Sequence, residues 1–452
     1  MEPKGIILSI ICVLLLSCCA KKIGEVPINL DPNGRTDTIY VSELITENPV
    51  AELYPTSLTE TAPINSPRVA KIYSKGEEFS YLIILAPDKD LNINIKPDSS
   101  LTTDSTSDSL VNYLWKSNLD FIDRNSALIF RSENMDSIPL IFEDFEEKRE
   151  REINKFNDEF GPRVADLLSY QNQARIYAFL FWLGRVSKEL EPENSYFDFI
   201  ERIPGPTEAL KSLPDIYLYK YEIEYLRKHR YLEDVPSFLR FIEDSTANDD
   251  LTDFLKAVYI RNLIEIPSYW QKHEKLFNTE VLTEVLESEK GNRYHHLIEK
   301  PSSSFYASQN GKEAYAFDAI DSSGGKFDFS ETNGKVVFMD VWATWCGPCI
   351  KQRPRVVEFA KKYRDNDKVR IMMVSVDSSK DKWLSFLQKE KDNEGTDLFI
   401  EDGMHSEFGD GYNIKSIPRY ILIGRDGKII DANINEPSLA TEDAIENAIG
   451  EN

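Results

Sequence analysis

Two cysteines three residues apart, Cys346 and Cys349, sit in the stretch VVFMDVWATWCGPCIKQRP that runs from Val336 to Pro354. A pair at this spacing has three uses: a small disulfide that opens and closes, half of a zinc site, or two inert thiols in a core. A zinc site needs further ligands, and no second C-x-x-C or C-x-x-H follows; Cys12, Cys18 and Cys19 lie far upstream and His405 stands alone. Adjacent His295 and His296 do not share a helix face and read as a solvated loop, so no metal site is expected. Redox chemistry remains, and the flanking residues favour it. Val336, Val337, Phe338, Met339 and Val341 form an apolar run of strand length, and Pro348 belongs to a first helical turn, whose N–H groups lack partners in any case. Cys346 then caps a helix N-terminus, where those N–H groups and the positive end of the helix dipole favour a thiolate, with Cys349 one turn further on.

The segment WATWCGPC resembles the active-site signature of the thioredoxin superfamily. The resemblance implies an enzyme, a thiol-disulfide oxidoreductase in which Cys346 attacks a partner's disulfide and Cys349 resolves the mixed disulfide, with no cofactor beyond this pair. It implies that Asp340, six residues before Cys346, is the buried carboxylate that takes the proton of the second cysteine, its pKa raised by burial. Where thioredoxins carry a lysine near that carboxylate, the aligned residue is the apolar Met373, so proton handling is expected to differ. Trp345, Gly347, Pro348, Ile417 and Pro418 are implied as substrate-binding: Trp345 shields the sulfurs, and the backbone of Ile417, before a cis Pro418, pairs with an extended substrate segment. Such pairing reads backbone, so the implied substrates are proteins. Gly347-Pro348 resembles the reducing thioredoxins, near about −270 mV, more than the oxidant DsbA near about −120 mV. A gap of roughly 150 mV is about 7 kcal/mol for two electrons, so the pair is expected to reduce its partners.

Elements around the motif fit one thioredoxin-like domain from residue 301 to 452. A hairpin over Tyr315 to Ile320 and Lys326 to Phe329 precedes the strand at Lys335 to Val341; a strand at Val369 to Val376, a helix near Asp381 to Lys391 and a short strand at Leu398 to Ile400 follow. A helical segment from His405 and a second hairpin, Arg419 to Gly424 with Lys428 to Asp431, complete it. The added hairpin and the insertion resemble the TlpA/ResA-like exported branch of the superfamily. Pro301-Ser302-Ser303-Ser304 reads as the linker in front of it.

The chain has 452 residues and a formal charge of −24, which argues against nucleic acid or an anionic membrane surface as a partner. Gly5 to Ser17 is an apolar run of signal-peptide length after Lys4, so residues 1–17 are expected to be a signal peptide. Leu15-Leu16-Ser17-Cys18 resembles a bacterial lipobox, which implies lipidation of Cys18 and an anchored protein facing the periplasm of a bacterial envelope. Cys19 stands where an aspartate would signal inner-membrane retention, and so implies the outer membrane. With no thioredoxin reductase in that compartment, a membrane reductant of the DsbD type is the implied electron donor, and exported disulfide-containing proteins are the implied substrates.

Residues 18–109 carry turn signals and short alternating runs such as Leu91, Ile93 and Ile95, and read as a small β-rich domain with a turn at Asp31-Pro32-Asn33-Gly34. Residues 110–300 change to helical period: Leu114, Phe121 and Leu128; Trp115, Ile122 and Ile129; Ile216, Tyr219, Ile223 and Leu226. Ile176 to Leu183 is apolar nearly all round and suggests a central helix. The expected fold is thus an α/β thioredoxin-like domain, a central mixed sheet flanked by helices, behind a β domain and an all-α region. The expected function is an anchored protein-disulfide reductase. The alternative is a polypeptide- or glycan-binding lipoprotein with an accessory redox domain.

Overall fold

The computed structural model describes residues 24–31, 38–44, 49–54, 58–64, 66–74, 80–87, 89–95, 101–103, 105–266, 279–390 and 395–450. Cys18, the signal run and Pro32-Asn33-Gly34 lie outside the described residues. The chain divides into two compact units, residues 1–223 and 224–452.

In the first unit, strands β1 (Gly24–Asp31), β2 (Ile39–Glu43), β3 (Pro49–Leu53), β4 (Thr59–Ile64), β5 (Arg68–Ser74), β6 (Ser80–Leu85), β7 (Leu91–Ile95) and β8 (Leu101–Thr103) form two sheets, β4-β1-β7-β8 and β3-β2-β5-β6. Leu91, Ile93 and Ile95 point inward and Asn92 and Asn94 outward, the period-two alternation of a half-buried strand. They join Val26, Ile28, Val41, Ile72 and Ile83 in one core shared by both sheets. Helix α1 (Thr106–Arg124) lies on β6: the Asp108 carboxylate accepts from Ile84 N–H at 2.6 Å, and Leu110, Val111 and Leu114 pack with Val69 and Ile84. Thr106 to Ser109, the end of a polar run, are thus the first turn of a helix, where short polar residues and an acid are favoured. Helices α2 (Ser126–Arg131), α3 (Ser137–Asn154), α4 (Asn157–Phe160) and α5 (Pro162–Trp182) follow, with α5 central. Two residues of the expected packing faces, Trp115 and Leu128, are exposed instead, while Leu114 and Ile129 are buried. Leu114 and Trp115 belong to α1 and Leu128 and Ile129 to α2, so neither expected stripe runs through: each has one buried and one exposed member on either side of the break at Asn125.

Helix α6 (Asp215–His229) spans the division between units. The second unit then has α7 (Val235–Ser245), α8 (Asp249–Glu265), α9 (Thr279–Ser288) and α10 (His296–Ala307). Pro301-Ser302-Ser303-Ser304 is not a linker: it lies inside α10, whose Leu297, Ile298, Pro301, Ser302 and Phe305 are buried. Apolar residues spaced three and four apart hold that helix against its neighbours despite the proline.

The remainder is one seven-stranded mixed sheet in the order β10-β9-β13-β12-β11-β14-β15. Its strands are β9 (Ala319–Asp321), β10 (Lys326–Phe327), β11 (Val336–Trp342), β12 (Val369–Ser375), β13 (Thr396–Phe399), β14 (Arg419–Ile423) and β15 (Ile429–Asp431). Strands β11, β12 and β13 are parallel; β9, β10, β14 and β15 close the edges in antiparallel pairs. Every residue of β11 is buried, as befits a central strand covered on both faces. Helices α11 (Gly347–Tyr363), α12 (Lys380–Leu387), α13 (Glu407–Gly411) and α14 (Leu439–Gly450) flank the sheet.

Candidate active site

Strand β11 ends at the C-terminal end of the parallel strands and α11 starts a few residues later, so the cysteines fall in the turn between them and the first turn of the helix. Cys346 is the N-cap of α11; its Sγ accepts from Cys349 N–H at 3.2 Å and its carbonyl accepts from Ile350 N–H at 3.0 Å. Pro348 stands in the first turn, where no donor is lost. Cys346 and Cys349 are joined as a disulfide, and each is only 4–5% exposed. Gly347 and Pro348 are exposed between them, and Trp345, 60% exposed, stands in front.

The turn is pinned from beneath by a residue that sequence reasoning missed. Asp377, just past β12 and buried, accepts from the Thr344 N–H at 3.0 Å, the Thr344 hydroxyl at 2.7 Å and the Ser375 hydroxyl at 2.8 Å. Thr344 is two residues before Cys346, so this carboxylate fixes the approach to the N-cap. Three donors on one buried acceptor make a strongly specified joint. The sequence signal was faint, a lone acid directly after an apolar strand.

Asp340 is buried in the middle of β11. Burial pushes its carboxyl up to about 7, while the nearby Arg353 guanidinium pulls it down and Asp397 pushes it up. In the sheet it pairs in register with Met373 on one side and Tyr420 on the other. The aligned Met373 is wholly buried and brings no charge; the cation comes instead from α11, as Arg353. Arg353 is 2% exposed, donating from Nε to Glu390 at 2.6 Å and from Nη2 to Asp397 at 3.0 Å.

The Ile417–Pro418 bond is cis, and both residues are half-buried. Val341 pairs antiparallel with Arg419, so this bond lies beyond the end of β11 from which the cysteine turn leaves. Trp345, Cys346, Gly347, Pro348, Cys349, Ile417 and Pro418 therefore gather at that one end of the central strands, with Asp340 two residues inside the end of β11. The loop before Ile417 is tied back to the helices of the same unit: Lys415 pairs with Glu265 of α8 at 3.1 Å, and Lys300 of α10 with Asp410 of α13 at 2.7 Å. Among the described residues no group of side chains has a metal-binding arrangement, and no helix is long and apolar enough to cross a membrane.

Residues 309–449 match the family described as Redoxin. Thiol-disulfide oxidoreductase ResA of Bacillus cereus is 32% identical over 128 residues, 28% of this chain and 71% of that protein. A crystal structure from Bacteroides vulgatus, assigned as a thiol-disulfide oxidoreductase, is 31% identical, covering 31% of this chain and 97% of that one at a TM-score of 0.29. One from Chlorobium tepidum, assigned as a thiol:disulfide interchange protein DsbE, is 28% identical, covering 31% of this chain and 95% of that one at a TM-score of 0.27.

Proposed function

Since the chain belongs to the ResA-like thiol-disulfide oxidoreductases of thioredoxin fold, we propose that it is a lipid-anchored reductase of disulfides in exported proteins, facing the periplasm of a bacterial envelope. The observation that carries this reading is the Cys346–Cys349 disulfide at a helix N-terminus, above a buried carboxyl that titrates near neutrality.

In the reduced protein the Cys346 thiolate, favoured by the helix terminus, attacks one sulfur of a partner's disulfide. The partner's S–S bond breaks, its second sulfur leaves as a thiolate and takes up a proton, and a mixed disulfide joins Cys346 to the first. Cys349 then gives its proton to Asp340 and attacks Cys346 Sγ. The mixed disulfide breaks, the partner's first sulfur leaves as a thiolate and takes up a proton, the Cys346–Cys349 bond forms, and two electrons have passed to the partner. The backbone at Ile417, half-buried before the cis Pro418 and next to the start of β14, and the exposed Trp345 offer the partner's extended segment a seat. The cysteine pair is the only redox group this cycle needs. A membrane reductant of the DsbD type restores the dithiol; the Leu-Leu-Ser-Cys pattern puts a lipid on Cys18, and Cys19 after it directs the anchored protein to the outer membrane.

The pre-reduced protein is expected to reduce insulin, and replacement of either Cys346 or Cys349 by serine to abolish turnover. Redox titration against glutathione is expected to give a potential below about −180 mV; a higher value, in the range of disulfide isomerase, would replace the reductase with an isomerase or oxidase. Pre-reduced protein that leaves insulin intact but binds a polypeptide or glycan would favour a binding lipoprotein instead.

A further inference from the structure

Beneath α11 the sheet carries a row of side chains only partly used by this cycle. Phe338, Asp340 and Trp342 alternate onto one face of β11. The residues two before and two after Asp340 both touch α11: Phe338 meets Phe359 at 5.2 Å between ring centroids, and the Arg353 guanidinium lies 4.0 Å from the Trp342 ring. Asp340 thus lies between them under the same helix. The row runs sideways in register, Asp340 beside Met373 of β12 and Met373 beside Asp397 of β13. Two strand spacings, about 10 Å, separate the two acids. From the helix, Cys349 and Arg353 are four residues apart and both buried, and so face this row together.

Arg353 is held in place from three sides: Glu390 on Nε, Asp397 on Nη2 and the Trp342 ring on its flat face. Nη1 makes no hydrogen bond with these partners and is buried. We infer that Arg353 is the positioning residue of the resolving step, a fixed cation that keeps the Asp340 carboxylate available to accept the Cys349 proton. This rests on the oxidoreductase reading above. Burial alone favours the neutral acid, which cannot take a proton; the cation opposes that tendency. Asp397 and Glu390 fix the guanidinium, and Met373 on the intervening strand keeps Asp397 two strand spacings from Asp340.

The other groups facing Asp340 do not supply this charge. Tyr420 of β14 is neutral, its hydroxyl pushed above the ordinary value by burial first and by Asp340 next. Met373 of β12 is apolar, and Asp397 of β13 is an acid. Cys346 and Cys349 of α11 are the reacting pair. Glu442 and Glu446 of α14 are engaged by Lys362 and Tyr363, about 20 Å along α11 from Cys349.

The test follows the resolving step by itself. Reduced protein and Ellman's disulfide form a mixed disulfide at Cys346, and attack by Cys349 then releases a second thionitrobenzoate, timed by stopped flow from pH 5.5 to 9. In the wild type the release rate is expected to rise with a midpoint near the Asp340 value of about 7. The pair of changes Arg353→Met and Asp397→Asn removes the cation together with the wholly buried acid it would strand, leaving Glu390, which is a quarter exposed, to solvent. Arg353 is the larger of the two influences, so the midpoint should move up, by roughly one pH unit. Arg353→Lys should return it toward the wild type, and in an Asp340→Asn background the same pair of changes should shift nothing. Asp397→Asn alone is the second variant, with the opposite sign, a midpoint moved down. A midpoint unchanged by removal of Arg353, or a shift that persists without Asp340, overturns the inference. Wild-type protein that releases no second thionitrobenzoate overturns the oxidoreductase reading and this inference together, whereas normal release with an unmoved midpoint overturns this inference alone.

Discussion

Replacing Asp340 by asparagine should make the oxidised protein more stable, and by an amount that depends on pH in a particular way. The carboxyl is held at about 7 against an ordinary 3.8. That is about three units, and at 1.36 kcal/mol per unit about 4 kcal/mol. The unfolded chain gives up this proton near pH 4, while the folded protein keeps it to about 7. Between those values the native state binds more protons than the unfolded state, so stability falls as pH rises. Below about pH 4 both states hold the proton and the penalty vanishes; above about 7 it is complete. Asparagine does not titrate.

The stability difference, Asp340→Asn minus wild type, should therefore climb by about 4 kcal/mol from pH 4 to pH 7.5 and then level off. Any fixed cost of seating the amide beside Tyr420 and Met373 moves the whole curve without changing its shape. Urea unfolding of both oxidised proteins at half-unit steps of pH gives the difference, and all other titrating groups cancel when the same transition is compared. A flat difference across this window, or one complete by pH 5, would show that Asp340 is not held protonated, and would remove the basis for its role as a proton acceptor.

Cys349→Ala should leave Cys346 joined to its partners, visible as high-mass species that collapse on reduction; their absence in cells of the parent organism would count against protein substrates. Cys18→Ala should release the protein from membranes, and a mature N-terminus that mass spectrometry finds unmodified at a residue other than Cys18 would end the lipid-anchor proposal. Asp377→Ala strands the Thr344 N–H and hydroxyl, at about 1–3 kcal/mol for lost buried hydrogen bonds. It should also slow attack by Cys346, and unchanged insulin reduction would show that the turn holds its geometry without that carboxylate.

The redox unit was readable because its signals are local. A continuous apolar run marks a central strand, and a proline just after a cysteine marks a first helical turn; both are settled within a dozen residues. Asp340 was readable for the opposite reason, as an acid in a run that otherwise excludes charge. Arg353 was not, since its partners Glu390 and Asp397 are 37 and 44 residues away and only the packing of α11 over β13 brings them together. Pro301 to Ser304 misled because composition there resembles a loop, while the residues that make it helical, Leu297, Ile298 and Phe305, lie outside the four. Trp115 and Leu128 show the remaining limit: period alone identifies helix but not the break at Asn125, across which the buried positions change stripe.

A buried acid that costs about 4 kcal/mol at neutral pH is not explained by stability, since an amide or an apolar residue would serve the strand better. In the proposed cycle it serves a division of labour between two cysteines on one turn of helix. Cys346 caps the helix, where backbone N–H groups stabilise its thiolate before any partner arrives. Cys349 lies inside, where the same burial that protects it also disfavours its thiolate, so it needs a base, and only after the mixed disulfide has formed. A carboxyl near its ordinary 3.8 would be too weak a base for a thiol, and one that burial raised without opposition would stay protonated at neutral pH. Burial against Arg353 leaves it between these extremes, at about 7, able to take the proton in one half of the cycle and return it in the other.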